Sequence, residues 1–209
     1  MQIGFLLSGS GSTLQNFLDL EEQGNFRGHI AAVISSKPGA KGLERSRSRN
    51  IPSYAVDYKE YKSDLGLYST RITELFQRHG VELVLMGGFL SFYEVPPVYA
   101  QRVLNVHPSL IPAFCGQGMY GAKVHQKVLE YGVKYTGCTV HLVDNHYDNG
   151  PIVAQAVVSV ADDETVESLS AKVQVAERAL YPQVVNDFIA GLYHVEGRIV
   201  KKGVKHDTL

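Results

Sequence analysis

The sequence predicts an α/β fold, with a doubly wound, mostly parallel sheet and an antiparallel extension toward the C-terminus. Two patterns predict it. Through the first half of the chain, short apolar runs bounded by glycine or polar residues alternate with apolar stripes at helical spacing. Such runs suit strands buried on both faces, and alternating strands and helices make parallel sheets. After residue 135 the pattern changes to two longer β-rich runs joined by a polar loop, which reads as a hairpin.

The elements follow in order. Gln2 to Ser8 is the first strand, and the glycine-rich loop Ser8 to Ser12 leads into a helix whose stripe is Leu14, Phe17, Leu18 and Leu20, with Gly24 as its stop. His29 to Ile34 is a strand, Gly42 to Arg49 helical, and Ser53 to Val56 a short strand. Leu67 to His79 carries Ile72, Leu75 and Phe76 on a helical period. Val81 to Met86 and Val103 to His107 are further buried strands, and Gly121 to Tyr131 is a helix. Tyr135 to Val143 and Pro151 to Val160 form the hairpin. A long helix covers Thr165 to Gly191, with Pro182 expected to kink or restart it. Tyr193 to Val200 is a two-stranded ribbon turning at Glu196 and Gly197. The first half is Rossmann-like.

The composition is that of an ordinary globular chain: 209 residues, 44% hydrophobic, 20% charged and a net charge of −1. No overall positive field favours nucleic acid, and no apolar run approaches the roughly 20 residues of a membrane-spanning helix. The basic run Lys37, Lys41, Arg45, Arg47 and Arg49 reads as a solvated helix face. Two cysteines, Cys115 and Cys138, and no recognisable leader point to the cytoplasm.

Three constellations can carry chemistry. Ser8 to Thr13 lies between a strand and a helix start, where backbone N–H groups and the helix dipole converge on an anion; the bland alternative is a tight turn with an N-cap serine. It lacks the lysine of a Walker loop and so suits one terminal phosphate. Asn105-Val106-His107-Pro108-Ser109 sits at the carboxyl end of a strand, the edge where such sheets bind ligands. Alternation puts Asn105 and His107 on one face, as an oxyanion donor and an acid or base. The loop Asp144 to Pro151 reads either as a turn or as the source of Asp148. In the second case Asp148 pairs with His107, raises its pKa and keeps an imidazolium available near neutral pH. His125, His141 and His146 lack tight ligand spacing, so no metal site is expected.

These motifs resemble the phosphoribosylglycinamide formyltransferase family over almost the whole chain. The residues that carry the resemblance are SGSGSTLQ, GGFL at Gly87 to Leu90, NVHPSLIPAF at Asn105 to Phe114, and TVHLVDNHYDNGPIVAQ at Thr139 to Gln155. The resemblance implies a Rossmann-like formyltransferase fold in one domain over 1–209, with a phosphate-binding half, 1–100, and a catalytic and folate-binding half, 101–209. It implies 10-formyltetrahydrofolate as co-substrate without a metal, 5-phosphoribosylglycinamide as acceptor, and a monomer or homodimer with small-molecule substrates only. It assigns catalysis to Asn105, His107 and Asp148, the substrate phosphate to Gly11, Ser12 and Thr13, and the ribose to Glu177. Folate contacts fall to Leu90, Ser91, Phe92, Tyr93, Asn105, Asp144, Asn145, His146, Tyr147 and Asp148.

The chain departs from the family pattern at Thr13, where asparagine is usual, at Ser91, where a basic residue is often found, and at Asn149, which interrupts Asp-Gly-Gly. CGQGMYGAKVH resembles a Gly-Met-Tyr-Gly subgroup. The implied mechanism is direct attack of the amine on the formyl carbon, the oxyanion facing Asn105 and protonated His107. Formylation of initiator tRNA or hydrolysis of formyl folate would call for a further domain that the chain is expected to lack. A sugar-nucleotide acceptor would leave the loop Ser8 to Thr13 superfluous, and a non-catalytic binding module would not need Asn105, His107 and Asp148 intact.

Overall fold

The computed structural model describes residues 1–203; the last six residues of the expected domain, 204–209, lie outside the described residues. The chain divides into two compact units, residues 1–105 with 143–145, and residues 106–142 with 146 onward.

In the first unit the apolar runs become β1 (Gln2–Leu7), β2 (His29–Ser35), β3 (Ser53–Ala55), β4 (Leu83–Met86) and the start of β5 (Val103–His107). They pair in parallel in the order β3-β2-β1-β4-β5. Parallel pairing explains the unbroken apolar character: β4 is buried at every residue, because both faces are covered. The helices α1 (Ser12–Glu22), α2 (Lys41–Arg47) and α3 (Leu65–Arg78) bury one stripe each. In α3 the stripe is Tyr68, Ile72, Leu75 and Phe76. It joins a core with Leu6, Ile34, Val84, Met86, Tyr93 and Tyr99. Each such side chain contributes about 1.5–3 kcal/mol by leaving water. Leu20, expected on the stripe of α1, is only partly buried; Leu14, Phe17 and Leu18 form that face.

The second unit holds α4 (Ala122–Tyr131), the hairpin β6 (Tyr135–Leu142) and β7 (Ile152–Ser159), the long helix α5 (Val166–Ile189), and the ribbon β8 (Tyr193–Glu196) and β9 (Ile199–Lys202). β6 and β7 are antiparallel, β9 joins β7 in parallel at Ile152 and Ile199, and β8 closes antiparallel on β9. The mostly parallel sheet with antiparallel C-terminal strands is the predicted fold class.

Helix α5 begins at a capping box between Thr165 and Ser168 and runs through Pro182 as one helix, so the expected restart does not occur. The proline removes one helical hydrogen bond, but Tyr181, Pro182, Val184 and Val185 are all buried, and that packing holds the helix together across the gap.

Candidate active site

The predicted residues fall in both units. In the first, the loop after β1 delivers Gly11 as the N-cap of α1, with a left-handed φ of 70° and no side-chain cap. The N-cap serine alternative is therefore not what forms: the cap residue is glycine and supplies no side-chain oxygen to the first N–H groups of α1. Gly11 also has to be glycine, since a Cβ there would lie 2.6 Å from Gly42 Cα. Arg45 donates from Nε to the Ser10 carbonyl at 2.9 Å and from a terminal nitrogen to Gln15 Oε1 at 2.8 Å. The predicted solvated face holds for Lys37, Lys41 and Arg47, whereas Arg45 is spent on pinning the glycine loop and Arg49 pairs with Glu22 and Asp19.

The segment Leu90 to Tyr93 is tied down at both ends. The Leu90 N–H donates to Ser8 Oγ at 2.8 Å, and Asn145 Oδ1 accepts the Val95 N–H at 2.8 Å, so Asn145 organises the predicted folate segment through its backbone. Tyr93 is a core residue whose hydroxyl meets Thr73 Oγ1 at 2.9 Å. Leu90 is exposed, Ser91, Phe92 and Asp144 partly so. Asn105 is half-buried on β5, two residues before His107 and on the same face of the strand.

In the second unit the structure brings His107 and Asp148 together. His107 is buried at the end of β5, with Nδ1 3.4 Å from Asp148 Oδ2 and Nε2 3.0 Å from the Phe114 carbonyl. Both groups that flank the imidazole are acceptors, and both come from residues with left-handed backbone, Phe114 at φ 51° and Asp148 at φ 48°. Such conformations are costly outside glycine and persist where surrounding contacts impose them. Here the Gly116 N–H donates to Asp148 Oδ2 at 2.9 Å, and Ser109 Oγ donates to the Ala113 carbonyl at 2.6 Å.

The electrostatics correct one expectation. Burial, the largest effect, lowers the His107 pKa and outweighs the attraction of Asp148 and of the Phe114 carbonyl; the charge of His141 adds to the lowering. The net direction is downward from the ordinary histidine value, although Asp148 does pull the pKa up as expected. For Asp148 burial alone would raise the pKa, but the His141 and His107 imidazoles and the Gly116 N–H together hold it below its ordinary value. Two acceptors, the Asp148 carboxylate and the Phe114 carbonyl, thus flank the His107 ring.

Glu177, on α5, is half-buried, and loss of water pushes its pKa up to about 7. His146 and Tyr147 are exposed. Among the described residues no cluster of three metal-ligating side chains occurs, and no helix is long and apolar enough to cross a membrane.

The sequence pattern of the family described as formyl transferase matches residues 1–185. The chain belongs to the formyl transferase family. Within the family it is 36% identical over 186 residues to the chloroplastic phosphoribosylglycinamide formyltransferase of Arabidopsis thaliana, covering 88% of this chain and 64% of that one. It is 34% identical over 202 residues to the trifunctional purine biosynthetic protein adenosine-3 of Bos taurus, covering 95% of this chain and 19% of that one. The chain thus spans less than two thirds of either curated relative. The solved structure of glycinamide ribonucleotide transformylase 1 from Symbiobacterium toebii is similar at a TM-score of 0.90 and 37% identity, over 98% of this chain and 94% of that one. The family expected from the motifs is the family found.

Two residues of this formyl transferase family member escaped the sequence reading. Arg45 looked like any charge on a helix face, and only its arrival at the Ser10 carbonyl distinguishes it. His141 comes up in the sequence only as a metal-ligand candidate and fails for want of ligand spacing. It does bond the Leu142 carbonyl, through Nδ1 at 2.9 Å, but its Nε2 also points at Asp148 Oδ1, 3.7 Å away.

Proposed function

We propose that this chain transfers the formyl group of 10-formyltetrahydrofolate to the amine of 5-phosphoribosylglycinamide, a step of de novo purine (IMP) biosynthesis. The observation that carries the reading is buried His107 paired with half-buried Asp148, at 3.4 Å, on a chain of the formyl transferase family. The amine nitrogen attacks the formyl carbon, and the carbonyl electrons move onto oxygen, where the amide of Asn105 stabilises the oxyanion. Neutral His107, protonated at Nε2 toward Phe114, takes the amine proton at Nδ1. The imidazolium so formed lies between two acceptors already in place, Asp148 and the Phe114 carbonyl, and returns the proton to the leaving folate nitrogen. Burial keeps the imidazole neutral in the ground state while the acceptors favour it charged, so stabilisation is concentrated where the barrier is.

The acceptor phosphate is assigned to Ser12 and Thr13 N–H groups at Gly11, its ribose hydroxyls to Glu177, and the folate to Leu90 through Tyr93 and Asp144 through Asp148. The protein works on small molecules alone, without metal or nucleic acid, in the cytoplasm, as a monomer or homodimer.

Absorbance of the folate product tests the reading, with purified protein, both substrates and a control lacking the amine. Amine-dependent turnover supports it. Turnover without amine replaces it with hydrolysis, and silence with this acceptor but not with a sugar nucleotide replaces the acceptor.

Two variants probe the acceptor site. In Gly11→Ala the new Cβ meets Gly42 Cα and forces an L side chain into a left-handed φ, a strain of about 1–3 kcal/mol. The expected result is an acceptor KM raised roughly tenfold or more, equivalent to about 1.4 kcal/mol, with the folate KM little changed. Glu177 accepts hydroxyl hydrogen bonds strongly only as a carboxylate. Its pKa is about 7, so the acceptor KM should fall as pH rises through neutrality and be flat over that range in Glu177→Gln. A KM that follows pH equally in both proteins removes Glu177 from the site.

A further inference from the structure

The reading above uses His107 and Asp148 and leaves a third buried titratable group beside them without a task. His141 lies on β6, which is buried from Thr136 to Leu142, and is itself only 2% exposed. Its Nδ1 lies 2.9 Å from the Leu142 carbonyl, which can only accept, so Nδ1 carries the proton and the ring is oriented with Nε2 toward Asp148 Oδ1 at 3.7 Å. That distance is an ion-pair contact rather than a direct hydrogen bond. Asp148 therefore has a histidine at each oxygen, His107 at Oδ2 and His141 at Oδ1, while the Gly116 N–H holds Oδ2.

We propose that His141 is a positioning residue of the proton-transfer pair, holding the far oxygen of Asp148 so that the near one stays aimed at His107 Nδ1. The inference rests on the transferase reading for its effect on turnover, but not for its effect on His107 itself.

The need for such a residue follows from where Asp148 sits. It stands in a loop, on left-handed backbone, between the exposed residues Tyr147 and Asn149. A carboxylate there is free to turn about its side-chain bonds unless both oxygens are held. His141 belongs to a buried strand, and side chains on packed strands hold geometry better than those on loops. The Gly116 N–H and His107 restrain one oxygen, and His141 is the group placed to restrain the other.

A histidine in this position also acts through charge, and that separates positioning from mere packing. The titratable groups around the pair, among the described residues, are His107 and His141 on Asp148, Cys115 beside Asp148, and His125 beside His107. The His141 imidazole is among the groups that lower the pKa of Asp148 and that of His107. Removing it should move both titrations upward, because its share in lowering each is lost.

The experiment compares the wild type with His141→Gln and His141→Phe. The glutamine amide can place an N–H where Nε2 stood but carries no charge; phenylalanine supplies neither. Three readouts are needed: kcat and KM across pH, the urea midpoint, and the His107 titration followed by NMR on imidazole-labelled protein. In His141→Phe, kcat should fall roughly 10- to 100-fold, the range a displacement of about 1 Å costs, with KM values within about twofold of wild type. His141→Gln should recover most of kcat while the pH limb of His107 stays shifted upward. The NMR titration of His107 should move upward in both variants whether or not turnover is seen. Profiles that superimpose on the wild type after scaling, or an unmoved His107 titration in a folded His141→Gln, would overturn the inference. Should His141→Phe fail to fold, His141→Gln decides alone. A wild type silent with both substrates sinks the transferase reading instead, and the His107 titration still tests His141.

Discussion

His107→Ala is expected to lower kcat by roughly 10²–10⁴, the contribution of a positioned proton carrier, with binding of the phosphorylated acceptor nearly intact. On the proposed mechanism the loss falls on kcat, because His107 would hold the proton only in transit. Gly11, Ser12 and Thr13, which the phosphate is assigned to, lie in the other compact unit. Removing the ring also strands two acceptors, Asp148 Oδ2 and the Phe114 carbonyl, the latter still within reach of Ser109 Oγ. A stability loss of about 1–3 kcal/mol is expected on that account, so turnover has to be measured beside a urea midpoint and acceptor binding by calorimetry. Turnover at the wild-type rate from a folded variant would remove His107 from the chemistry, and Asp148 and His141 with it.

Gly137→Ala should be the most damaging single-methyl change in the chain. Gly137 lies in β6 opposite Val157, and a Cβ built on it would stand 1.8 Å from the Ala156 carbonyl oxygen and 2.9 Å from Leu110 Cδ2. No rotamer relieves that overlap, because the obstacle is backbone. Either the β6–β7 ladder opens or the strand shifts. Overpacking usually costs about 1–3 kcal/mol, and a backbone obstacle places this variant at or above the upper end. For a chain of this size that is a fall in Tm of roughly 6–12 °C. β6 also carries Thr139, whose hydroxyl donates to the Ser109 carbonyl and accepts the Ile111 N–H, and His141 beside Asp148. A strand shift at Gly137 should therefore reach the active residues, and activity should fall more than the folded fraction explains. A melting temperature within about 2 °C of wild type would show that the hairpin adapts at little cost.

Much of this was legible beforehand because the relevant physics is local. Strands buried on both faces must be apolar throughout, helices packed on one side must repeat at 3.6 residues, and a glycine loop between the two marks a backbone approach. Those rules located the nine strands and five α-helices of the described residues to within a few positions, but not the two short 3-10 turns at Tyr58–Tyr61 and Pro97–Tyr99. The same locality explains the misses. Pro182 carries the same penalty in any helix, and whether the helix survives depends on burial of Tyr181, Val184 and Val185 against neighbours that the local pattern does not name. Arg45 and Arg47 are alike as sequence, yet one reaches the Ser10 carbonyl and the other is exposed.

The sequence by itself determined the order and kind of the elements, the glycine loop, the Asn105–His107 spacing and the family, since each depends on neighbours along the chain. Only the tertiary structure decided that Asp148 meets His107, that His141 stands on the other side of the same carboxylate, and that burial outweighs Asp148 in shifting the His107 pKa. Those facts depend on residues far apart in sequence that share one buried place. The sign of a pKa shift is set there by the balance of lost water against nearby charge, and that balance exists only once the chain has closed around the group.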